Sequence, residues 1–111
     1  MRSFSMLLTG GLLAFATTPV FAQAVAAAAA EALMKKSGCF KCHAVDKKKD
    51  GPAYKTVAEK NKGKPDAAQK LYVHLTTNPK VKIDDKEEEH TSLKTKDDAE
   101  IKNVIRFILS Q

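Results

Sequence analysis

A chain of 111 residues has room for one domain, and with 43% hydrophobic residues, 6% aromatics and no Trp it can build only a modest core. A formal charge of +6 at pH 7 points to acidic partners, nucleic acid included until the destination of the chain is considered.

The first element argues about that destination. Arg2 supplies an early positive charge, residues 6–21 form an apolar run, and Val20-Phe21-Ala22 fits the small-residue pattern of a cleaved secretory signal. Cleavage is expected after Ala22, with Ala24 as the alternative, so residues 1–22 are read as a signal peptide and 23–111 as the functional domain. The run is short and carries Gly10, Gly11 and Pro19, unlike a membrane span of about 20 apolar residues. Export implies a bacterial periplasm, a domain with no stable membrane span after cleavage, and a formal charge falling to +5 with the loss of Arg2. It also removes nucleic acid as a partner and leaves acidic protein surfaces.

Residues 24–37 are strong helix formers, an Ala run leading into Leu33, Met34, Lys35 and Lys36, with Gly38 where a C-terminal cap belongs. The Ala run is expected to fray at its start. Residues 47–52, three lysines between aspartates and a Gly-Pro, read as an exposed loop, and residues 53–60 as a short helix. Beyond the Gly-Lys-Pro-Asp break at 63–66, Leu71 and Leu75 share one face of a third helix that carries His74 and stops at Asn78-Pro79. Residues 80–96 show neither helical nor strand period and are expected to form a loop. Asp97 and Asp98 open a last helix whose Ile101, Val104, Ile105, Ile108 and Leu109 make an amphipathic stripe, broadened by Phe107.

Chemistry concentrates at Cys39-Phe40-Lys41-Cys42-His43. In this C-x-x-C-H spacing each thiol can form a thioether with one haem vinyl group while the adjacent imidazole reaches the iron. A thioredoxin-like redox pair would need a βαβ setting that the chain lacks. A zinc site fails on the gaps to His74 and His90, and a disulfide across so short a loop gives the least stabilisation. One covalent haem c is therefore the expected cofactor.

These residues, together with Gly51-Pro52-Ala53-Tyr54-Lys55 and the Asp97-Asp98-Ala99 to Gln111 helix, resemble class I cytochromes c, especially the small soluble bacterial type. The resemblance implies an all-α fold of about four helices around one haem, with the first and last helices crossing and Met34 as core filler between them. It also implies that the Pro52 carbonyl accepts a hydrogen bond from the imidazole of His43, and that a basic residue at the place of His74 touches a haem propionate.

The pattern departs from the family on the other side of the iron. Class I cytochromes usually supply a Met shortly before the last helix, and here the last Met is Met34, ahead of the haem motif. The family position falls at about Thr91, so His90 is expected to be the second iron ligand opposite His43, with His74 as its rival. A bis-imidazole iron has a lower potential than a Met-ligated one. An open distal side would instead bind small ligands such as CO, NO or oxygen. The lysines at 35, 36, 41, 47, 48, 49 and 55 gather around the attachment motif and suit docking to an acidic redox partner. No substrate-handling constellation is visible, so the chain is read as an electron carrier rather than a stand-alone enzyme, with an electron-entry subunit of a larger redox enzyme as a further alternative.

Overall fold

The computed structural model describes residues 24–111 and Ala14, so the expected signal segment lies, apart from Ala14, outside the described residues. Among the described residues four α-helices form: α1 (Ala27–Lys36), α2 (Tyr54–Asn61), α3 (Ala67–Thr76) and α4 (Asp98–Leu109).

The helix α4 is the hub, with α1, α2 and α3 all packed on it. Its stripe buries Ile101, Val104, Ile105, Phe107 and Ile108, each of which stabilises the fold by about 1.5–3 kcal/mol against leaving it in water. Met34 of α1 and Val104 of α4 are fully enclosed in this core. The start of α4 is fixed by Asp97, whose carboxylate accepts hydrogen bonds from the backbone N–H groups of Ala99 and Glu100 at 2.9 and 3.2 Å.

The beginning of α1 is tethered rather than frayed. The Asn103 amide of α4 donates to the Ala26 carbonyl and accepts from the Ala26 N–H, both at 2.9 Å, so a side chain of the last helix takes over the cap that an Ala run cannot supply. At the other end Gly38 adopts φ +78°, the left-handed conformation that turns the chain out of the helix, and a short 3₁₀ turn follows at Cys39–Lys41.

Residues 80–96 are not a plain loop. Two short strands, β1 (Lys80–Ile83) and β2 (Lys86–Glu89), pair antiparallel with Lys80 opposite Glu89, Val81 opposite Glu88, Lys82 opposite Glu87 and Ile83 opposite Lys86. The turn between them is made by Asp84 and Asp85, both at positive φ (49° and 63°), the geometry of a type I′ hairpin. Opposite charges face each other across the ladder, which supports pairing that hydrophobic alternation alone would not. Beyond the hairpin, the Pro79 carbonyl accepts from the His90 N–H at 2.8 Å, and the Leu75 carbonyl from the Leu93 N–H at 3.0 Å. The buried hydroxyl of Ser37 accepts from the Lys94 N–H at 2.9 Å. The stretch that holds His90 is thus pinned to α3 and to the end of α1.

Candidate functional site

A cavity of about 350 Å³ opens between the 3₁₀ turn, α3, α4 and the hairpin. Its walls are mostly apolar, with Met34, Leu71, Leu75, Val81, Ile83, Val104 and Ile108 among them, and Cys39, Cys42, His43, His74 and His90 all reach it.

The side with the cysteines is rigidly built. His43 lies two residues past the 3₁₀ turn, its N–H donating to the Cys39 carbonyl at 3.0 Å. Its ring is held three ways. Nδ1 donates to the Pro52 carbonyl at 2.7 Å, which fixes the tautomer and leaves Nε2 free to ligate. The ring of Tyr54, buried at the start of α2, stacks on it with centroids 5.0 Å apart and planes 22° from parallel. Gly51 passes against it so closely that a Cβ there would sit 2.3 Å from Cε1, with Nδ1 and Nε2 at 2.7 and 2.8 Å. The loop carrying Gly51 and Pro52 is tied back in turn, since Gly51 N–H donates to the Cys42 carbonyl at 2.7 Å and the Lys49 ammonium to the Phe40 carbonyl at 2.8 Å. Cys39 and Cys42 are unbridged thiols. Burial pushes the Cys39 thiol up, partly offset by a hydrogen bond with the Tyr54 hydroxyl, and burial likewise pushes the Tyr54 hydroxyl up.

The opposite side is made by two histidines from different elements. His90, just past β2, and His74, on α3, have ring centroids 4.2 Å apart with planes tilted by 48°. The His90 ring stands 6.2 Å from that of His43. Nδ1 of His90 is buried without a hydrogen-bond partner. Burial, then the neighbouring His74 and His43, push the pKa of His90 down to about 4, and burial followed by His43 lowers that of His74. Both imidazoles are therefore neutral at pH 7, the form that binds a metal ion.

These features fit a haem. The cavity is apolar, two thiols sit at its edge, one imidazole is locked with a free nitrogen, and an unpartnered buried nitrogen lies on the far wall. The residues that sequence reasoning did not single out are Gly51 and Tyr54 as direct neighbours of the His43 ring, and Val81 and Ile83 as cavity wall. The Gly-Pro-x-Tyr spacing was the available signal for the first two.

Residues 27–111 match the cytochrome c family. Among curated proteins the chain is similar to cytochrome c-551 of Stutzerimonas stutzeri, 46% identical over 70 residues, and to cytochrome c-551 of Pseudomonas aeruginosa, 46% identical over 56 residues. Those matches cover 63% and 50% of this chain, and it spans 61% and 54% of the relatives' own lengths. Among solved structures it is similar to the class 1 cytochrome MtoD from Sideroxydans lithotrophicus ES-1, with 50% identity, a TM-score of 0.74 and coverage of 78% of this chain and 97% of that one. The cytochrome c552 of Nitrosomonas europaea follows at 30% identity and a TM-score of 0.56, covering 72% and 96%.

The chain belongs to the cytochrome c family, as a small class I member with a single haem. Its cofactor is a covalently attached c-type haem, with Cys39 and Cys42 at the attachment positions.

Proposed function

We propose that this protein is a periplasmic electron carrier whose haem iron is ligated by His43 and His90, and that its potential is low compared with Met-ligated relatives. The observation that carries the ligation is the spacing of the two rings. Two imidazoles on opposite sides of one metal ion, each at a metal–nitrogen distance of about 2 Å, have centroids about 6 Å apart, and His43 and His90 stand at 6.2 Å. Six-coordinate iron that keeps both ligands in both oxidation states suits electron transfer rather than substrate chemistry, so the chain acts as a carrier and not as an enzyme.

Imidazole in place of a thioether favours ferric iron and lowers the potential, and the exposed Glu87, Glu88 and Glu89 near the distal side act in the same direction. Lys35, Lys36, Lys41, Lys47, Lys48, Lys49 and Lys55, clustered in sequence around the attachment motif, are all exposed, which suits association with an acidic redox partner that weakens as salt is raised.

The test is His90→Ala in the holoprotein. Optical and electron paramagnetic resonance spectra are expected to change from low-spin six-coordinate to high-spin, and reduced His90→Ala to bind CO readily where the parent protein does not. A variant that stays six-coordinate and low-spin would exclude His90 as the ligand. Ready CO binding by the unaltered reduced protein would favour a small-ligand-binding role instead.

A further inference from the structure

We infer that His74 is a positioning residue for His90: its ring is a wall that keeps the distal imidazole on the iron. This rests on the ligation proposed above and goes beyond it, because it assigns a task to a histidine that ligation by His90 leaves without one.

His90 has a pinned main chain, through its own bond to Pro79 and the bonds of Leu93 and Lys94, and a ring held by contact. It follows a two-stranded hairpin whose outer strand is wholly exposed. The backbone at 90 is tied by one bond to Pro79, which holds the main chain but leaves the side chain free to rotate about its two torsions. What limits that rotation is packing. The His74 ring lies 4.2 Å from that of His90, closer than any other ring pair at the site, at a tilt of 48° that lets the two make broad van der Waals contact.

The two histidines also differ in footing. His74 lies inside α3, with buried Leu75 beside it and Leu71 one turn earlier packed against the core, so its backbone is part of the helical frame. A ring on a rigid helix bearing on a ring from a hairpin is the arrangement of a brace. His74 lies against the His90 ring, so loss of the brace is expected to increase the population of the detached state. No proton transfer is involved, and a flat ring of any polarity at position 74 serves.

The experiment compares His74→Ala and His74→Phe with the unaltered holoprotein. In His74→Ala the ferric spectrum is expected to remain low-spin and six-coordinate. CO binding to the reduced protein, which requires His90 to leave, is expected to be roughly three- to tenfold faster, the worth of one aromatic contact. The electron paramagnetic resonance g-values are expected to spread as the His90 plane loses its fixed orientation. His74→Phe restores the slow CO rate and the parent g-values.

Three results would overturn the inference. A high-spin His74→Ala beside a His90→Ala that stays low-spin makes His74 itself the ligand and removes the ligation reading too. A low-spin His74→Ala with unchanged CO rate and g-values leaves His90 ligation standing and removes the brace. A fast CO rate that Phe does not restore but Gln does assigns the role to hydrogen bonding. Should His74→Ala not yield holoprotein, the same readings on His74→Phe and His74→Gln decide between ring packing and polar contact.

Discussion

Replacing Gly51 by Ala inserts one methyl group against the His43 imidazole. Carbon atoms in comfortable contact lie at least about 3.5 Å apart, so a Cβ placed 2.3 Å from His43 Cε1 must be relieved by about 1.2 Å of movement. Neither partner is free to yield. The His43 ring is held by the Pro52 carbonyl on one edge and the Tyr54 ring on one face, and the Gly51 backbone by its 2.7 Å bond to Cys42. Overpacking of this kind costs about 1–3 kcal/mol. Ordinary Gly→Ala exchanges at positions that accept Ala stabilise by about 0.4–1 kcal/mol, so the sign itself is diagnostic. Urea unfolding of oxidised holoprotein should show a lower midpoint at unchanged slope, and paramagnetically shifted proton resonances should report a displaced His43 ring. Gly63 is the control: nothing lies within 4 Å of a Cβ there, so Gly63→Ala acts only through its φ of +74° and leaves the haem resonances in place. A Gly51→Ala protein as stable as the parent, with identical resonances, would refute the steric reasoning.

Other perturbations test the frame and the distal side. Met34→Ala empties a fully buried place between α1 and α4 and should cost about 2–5 kcal/mol in chemical denaturation. Asp97→Ala removes both hydrogen bonds at the start of α4 and should cost about 1 kcal/mol by the same measurement. The pH dependence follows from His90. Its folded pKa of about 4 lies below the usual histidine value of about 6.5, so between these values the unfolded chain holds the proton and the folded chain does not. Its contribution to stability is full above pH 6.5 and is lost as the pH falls toward 4. Chemical denaturation measured against pH should therefore show stability falling as the pH drops below about 6.5.

The helices were legible because their signals are local. The stripe from Ile101 to Ile108, the Asp97 cap and Gly38 after α1 each declare an element within a few residues, and the structure follows them. The hairpin was not legible because its strands are four residues long and one of them, Lys86–Glu89, is exposed throughout, leaving no buried face to impose alternation. Its pairing rests on two aspartates at positive φ and on charges meeting across the ladder, which are properties of the folded chain. At the site, the C-x-x-C-H spacing named the attachment residues directly. The contact of His74 with His90 joins residues sixteen positions apart on unrelated elements, and only the tertiary arrangement reveals it.

With His90 as the proposed iron ligand, its tie to the hairpin makes iron chemistry sensitive to strand counting. Because side chains alternate across a strand, slipping the pairing of Lys80–Ile83 with Lys86–Glu89 by one position would turn the segment leading to His90 onto its opposite face. The Asp84-Asp85 turn, at the far end of the hairpin from the histidine, therefore acts as the length standard for the distal half of the molecule. Lengthening it by one residue would leave the four helices and the Cys39 to His43 half untouched while re-aiming His90. Under the proposed ligation, His90 would thus be withdrawn by a register change at one exposed turn, without any substitution in the core.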